Sequence, residues 1–89
     1  MKNEKVKEWR KLKQKKERDR QGSFLIEGTH LVEEAYASEW DIIEIIYEED
    51  YPLPEWAHNL TCYAVSDHVF QSITDTKTPQ GIAANVRKK

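Results

Sequence analysis

The 89-residue sequence predicts a small α/β sandwich. Apolar or β-branched runs at 24–26, 41–49, 61–65 and 82–86 have the length and composition of strands. Stretches of helical periodicity lie between several of them, and the links are short. Strand–helix alternation of this kind predicts a largely parallel sheet with helices on its faces. Four strands and three main helices fit one small domain, with little room for a second core.

Residues 4–20 read as a helix. Val6, Trp9 and Leu12 fall on one side, while Lys7, Lys11, Lys15 and Arg18 recur at i, i+4, i+8 and i+11 on the other. Its apolar stripe is narrow, so the helix alone is marginal in water, and Gly22 is a plausible stop. Phe24, Leu25 and Ile26 form a short buried strand. The helix at 29–37 presents Leu31, Val32, Ala35 and Tyr36 as its inward face. "DIIEIIYEE" (41–49) places apolar residues in adjacent pairs, the pattern of a strand buried on both faces. "YPLPEW" (51–56) is a loop by its two prolines, leading into a helical turn. The third strand is "TCYAV" (61–65). Ser66 follows as an N-cap, and Val65 and Phe70 occupy the two positions of a hydrophobic staple, for a helix running to about residue 73. A loop at 74–81 precedes the fourth strand, "IAANV" (82–86).

The net charge of −2 conceals a segregation. Residues 1–20 carry a net +6, residues 21–76 carry −12 with no Lys or Arg, and residues 77–89 carry +4. Basic segments of this kind seek nucleic acid, or fold back on their own acidic body; charge alone leaves both open. No apolar run approaches the ~20 residues of a membrane span, and the basic start lacks the apolar core of a signal peptide. Cys62 is the only cysteine, so no internal disulfide can form and a cytoplasmic location is expected.

The corner at Gly28 joins a strand directly to a helix, the arrangement that holds phosphates in many α/β proteins. A single glycine falls far short of a dinucleotide or P-loop motif, and Glu27, Glu33 and Glu34 would repel an anion. For mononucleotides it reads as a tight turn. "SDH" at 66–68 has the composition of a catalytic trio, but adjacent residues at a helix start do not converge. His30, His58, His68 and Cys62 lack metal-ligand spacing. Cys62 reads as a small core residue. Trp9, Trp40 and Trp56 read as cover for a small core, with base stacking as the alternative.

Taken together, "KLKQKKERDRQGSFLIEGTHLVEEA" and "VSDHVFQSITDTKTPQGIAANV" resemble the N-terminal substrate-binding domain of the SpoU (TrmH) family of RNA ribose 2′-O-methyltransferases, in the SPOUT superfamily. The resemblance covers nearly the whole chain. It implies a three-layer α/β/α sandwich around a mixed sheet, like the kink-turn-binding ribosomal proteins, preceded by a basic helix. In those proteins a Gly-(Thr/Ala)-Asn-Glu-Val-x-Lys run at the first strand–helix corner contacts RNA. Here Gly28, Thr29 and Val32 match, but His30, Leu31 and Glu34 replace the polar contacts.

The resemblance thus implies RNA (rRNA or tRNA) as partner. Lys7, Lys11, Lys15 and Arg18 would meet phosphates, and Gly28, Thr29 and His30 would form an RNA edge. The family's catalytic knot domain binds S-adenosylmethionine and forms the homodimer. Its motifs, including the one supplying the catalytic arginine, are missing from this sequence. The expectation is a single RNA-binding domain over 1–89, with no catalytic residue, cofactor or metal site of its own. Two other classes stay open: a stand-alone RNA-binding protein of the ribosomal type, and a protein-interaction module whose basic helix covers its acidic body.

Overall fold

β4 (Ile82–Arg87) is the last strand in the chain and lies inside the sheet, between β1 (Ser23–Glu27) and β2 (Ile42–Glu48). The order is β1-β4-β2-β3, with β3 spanning Cys62–Val65. The structure is a computed structural model that describes residues 3–74 and 81–88. The loop expected at 74–81 therefore lies mostly outside the described residues.

β2 and β3 pair in parallel, whereas β4 is antiparallel to both β1 and β2. This corrects the largely parallel sheet expected from alternation; the mixed sheet implied by the family resemblance is what forms. β1, β2 and β3 run the same way, and only β4, which also follows a helix, is reversed. Its side chains explain its central place. Ala83 packs toward one face and Ala84 toward the other, and small residues let layers of helix close on both sides.

Each face carries its own core. On one, α1 (Asn3–Lys11) and α4 (Asp67–Ile73) cover the sheet through Val6, Trp9, Ile46, Val65, Phe70 and Ile73. On the other, α3 (Thr29–Ala37) and a 3-10 turn (Glu55–Asn59) cover Ile26, Val32, Ala35, Ile45, Ile82 and Val86. The result is a three-layer α/β/α sandwich. Ser66 caps α4 as its residue type predicts, its side chain accepting from the Val69 N–H at 3.2 Å. Val65 and Phe70, flanking that cap, are both buried in the same cluster.

The N-terminal helix expected over 4–20 is two helices. After α1 the hydrogen bonds tighten: Lys13 and Gln14 N–H groups reach the carbonyls of Arg10 and Lys11, three residues back. A second helix, α2, then spans Lys15–Gln21. Leu12 is the last apolar residue before Phe24, so nothing would hold a straight continuation against the sheet. The turn returns the chain to β1 instead, and Gly22 ends α2 in a left-handed conformation (φ 69°).

On α3 the inward face is narrower than expected. Val32 and Ala35 are fully buried, but Leu31 and Tyr36 are 40% and 39% exposed. At 100° per residue each sits on the flank of the buried pair. Tyr36 is covered sideways, stacking on Trp56 with ring centroids 4.4 Å apart.

Candidate nucleic-acid interface

The outer surface of α1 and α2 is basic. Lys7, Lys11, Lys15 and Lys16 are exposed, and none forms a salt bridge among the described residues. Lys7 and Lys11 lie on α1, and Lys15 opens α2, so the residues of the expected stripe are divided between two helices. Arg18 is engaged differently. Its Nη1 donates to the carbonyls of Leu12 and Lys13, at 3.0 and 2.8 Å, closing the end of α1 where backbone acceptors lack partners.

Beneath this surface lies an anchor that sequence reasoning passed over. Glu44, in the middle of "IIEII", is 3% exposed. Its carboxylate accepts from Trp9 Nε1 at 2.7 Å, from Asn85 Nδ2 at 3.0 Å and from Lys5 Nζ at 3.0 Å. Burial pushes its pKa up, but the three donations together outweigh this and hold it below its ordinary value of 4.5. The same hydrogen bond holds the Lys5 ammonium above its ordinary value, against the opposing effect of burial. A bulge between Ile42 and Glu44 sets the register that brings Glu44 opposite Asn85. Lys5 and Trp9, four apart on one helix face, thus fasten α1 to the central strands. Trp9 also meets Tyr63 edge-on, with centroids 5.5 Å apart. A lone carboxylate inside a strand buried on both faces was the available signal, because such a group must find donors.

The corner residues sit elsewhere. Gly28 is buried with φ 111° and ψ 142°, a conformation essentially confined to glycine, and its N–H donates to the Ile82 carbonyl at 3.0 Å. Thr29 opens α3, its hydroxyl 2.6 Å from the Tyr51 hydroxyl. His30 is exposed beside Glu33, Glu34 and Ala37. This corner belongs to the α3 layer, whereas Lys7 and Lys11 belong to the α1 layer across the sheet. The candidate residues therefore form two groups: a basic α1–α2 surface, and a corner whose neighbours are acidic.

Other candidates have structural explanations. The Cys62 thiol donates to the Ala57 carbonyl at 3.1 Å, and burial pushes its pKa up, away from nucleophilic reactivity. No cluster of three or more His, Cys, Asp or Glu could hold a metal among the described residues. No described helix is long and apolar enough to cross a membrane. A cleft of about 350 Å³ opens between α2, β1 and the end of α4, bordered by Lys13, Arg18, Phe24, Leu25, Glu27 and Lys88.

Comparison with known proteins gives a consistent result. The family described as MRM3-like substrate binding domain matches residues 3–84. The chain is 46% identical over 84 residues to the 23S rRNA (guanosine(2553)-2′-O)-methyltransferase RlmP of Bacillus subtilis (strain 168), covering 93% of this chain and 34% of that protein. Among solved structures, an AdoMet-bound rRNA methyltransferase from Sinorhizobium meliloti is similar, with a TM-score of 0.81 and 30% identity, over 94% of this chain and 33% of that one. The SpoU methyltransferase AviRb from Streptomyces viridochromogenes shares the fold, with a TM-score of 0.80 at 19% identity, over 96% of this chain and 35% of that one. The chain thus spans about a third of the length of each, and the resemblance to SpoU/TrmH substrate-binding domains holds.

Proposed function

The chain belongs to the MRM3-like substrate-binding domain family, and from that premise we propose that it recognises RNA for a ribose 2′-O-methyltransferase acting on ribosomal RNA. The observation that carries this reading is the row Lys7, Lys11, Lys15 and Lys16. An acidic body with a net −12 lies within the same small domain, yet among the described residues these four exposed lysines form no salt bridge to it. Ammonium groups left open to solvent on one surface are what phosphate binding requires. Lys5, on α1 with Lys7 and Lys11, turns inward to Glu44 instead.

The domain's part is binding and positioning, with the Glu44 network keeping α1 rigid while its lysines grip the backbone. Dimer formation and methyl transfer belong, in this reading, to a catalytic domain beyond this chain, acting in the cytoplasm. S-adenosylmethionine supplies the methyl group when bound in such enzymes, and in this reading its site lies on that catalytic domain. Calorimetry tests the assignment. The chain should give saturable heat with a 23S rRNA transcript at low salt and none with S-adenosylmethionine. Saturable cofactor binding without RNA binding would overturn it.

A further inference from the structure

The two basic blocks that flank the acidic body in sequence meet in the fold. β1 and β4 pair with Ser23 opposite Arg87, and the Lys88 N–H donates to the Gly22 carbonyl at 2.8 Å. The end of α2, with Arg20, therefore adjoins the end of β4, with Arg87 and Lys88, at one edge of the sheet. A cleft of about 220 Å³ opens at this edge, lined by Phe24 of β1, Trp40 after α3, and Val86 and Arg87 of β4. Phe24 and Trp40 are both half-buried, so each packs on the core and still presents surface. Arg87 stands at the mouth.

Two aromatic rings, an aliphatic floor and a guanidinium match a flat ring system attached to a phosphate. Unpaired bases stack on aromatic rings and arginine planes, which every base can use. The volume lies below the ~300–1,000 Å³ of pockets that enclose whole drug-sized ligands, as expected for a site taking one base. Both cations are exchangeable. Arg87 Nε meets Asp41 at 2.8 Å with the two side chains 60% and 62% exposed, and Lys88 meets Asp19 at a less open position, 38% and 56% exposed. Surface pairs of this kind contribute little, so a phosphate can replace the carboxylate at small cost.

Resting on the RNA-binding reading above, we propose that the Phe24–Trp40–Val86–Arg87 cleft takes one unpaired RNA base, with Arg87 and Lys88 on the adjoining phosphates. The lysines of α1 and α2 grip the backbone without regard to pairing, and the cleft selects single-stranded RNA. A base held in a duplex could not enter it.

Fluorescence anisotropy of the full 89-residue chain with a short oligoadenylate strand, and with a fully paired RNA duplex, tests this. Phe24→Leu keeps the buried apolar surface and removes the aromatic face. It should weaken strand binding about fivefold or more, at the lower end of what one base–aromatic stack contributes, and leave the salt dependence and duplex binding unchanged. Arg87→Gln with Lys88→Gln should flatten the log affinity versus log salt slope by ~0.7 for each phosphate that is no longer neutralised. A folded Phe24→Leu chain with wild-type strand affinity overturns the cleft while leaving the lysine surface standing. Photocross-linking of the unmodified chain to a 4-thiouridine oligonucleotide needs no variant: adducts on Phe24 or Trp40 support the site, and adducts confined to α1 and α2 overturn it. Failure of the wild-type chain to bind either RNA would defeat the RNA-binding reading itself, and the cleft with it.

Discussion

Replacing Glu44 by alanine should be the most damaging single change outside the apolar core. Three donors converge on its carboxylate, and two of them, Trp9 Nε1 and Asn85 Nδ2, belong to buried residues and lose their acceptor once it is gone. An unsatisfied buried donor costs ~1–3 kcal/mol, so two give ~2–6 kcal/mol. Lys5 adds little, because its side chain is 37% exposed and can be hydrated, which discounts the ion pair. A loss of about 3–5 kcal/mol is a large part of the ~5–15 kcal/mol that holds a small domain together. Urea unfolding followed by far-ultraviolet circular dichroism measures it.

The sign of the pH dependence follows from the same hydrogen bonds. The Glu44 pKa is depressed in the folded chain, so its contribution is fully present above the unfolded carboxylate value and is lost as pH falls through the lower, folded one. Wild-type stability should therefore decline in the acid range below about pH 4. Glu44→Gln, which keeps the shape but cannot ionise, should lose part of that dependence. Lys5, whose pKa is raised, loses its contribution at the other extreme, as pH rises through its folded value above 10.5. A Glu44→Ala chain destabilised by less than about 1 kcal/mol, with wild-type acid sensitivity, would mean that this carboxylate does not anchor α1.

Gly28→Ala should destabilise by ~1–3 kcal/mol in thermal or urea melts, because φ 111° is forced on a side chain that rarely adopts it. His30→Ala, two residues away but exposed, should leave stability within about 0.5 kcal/mol while weakening RNA binding if the corner touches RNA. Ser66→Ala removes the cap from α4 and should cost ~0.5–2 kcal/mol, measurable in the same melts.

The pattern of strands and helices was legible because it is local. The β-branched run at 42–46, the cap at Ser66 and the glycine stop at Gly22 each act within a few residues. Sheet order was not, because β4's place depends on Ala83 and Ala84 fitting between two helical layers, a property of the assembled sandwich. The helix break at residues 12–14 was concealed by the regular lysine spacing, which continues past the last apolar anchor at Leu12. Leu31 and Tyr36 counted as inward residues because periodicity ranks hydrophobicity and cannot see how wide a face a nine-residue helix buries. The basic surface could be read from charge, but the pairing of its members could not. Arg18 turns to carbonyls and Lys5 to a buried carboxylate 39 residues further along the chain, and neither partner is marked in sequence. The edge where Arg87 and Lys88 meet α2 exists only once β1 and β4 pair.

Whether the lysines of α1 and α2 bind RNA phosphates is decided most directly by salt dependence. The measurement is the affinity of the chain for a 23S rRNA transcript across a salt series, wild type against Lys7, Lys11, Lys15 and Lys16 all changed to Gln. Binding should weaken sharply, and the log affinity versus log salt slope should flatten by ~0.7–0.9 for each phosphate the variant no longer neutralises, with thermal stability unchanged. A folded variant with the wild-type affinity and the wild-type slope would contradict it.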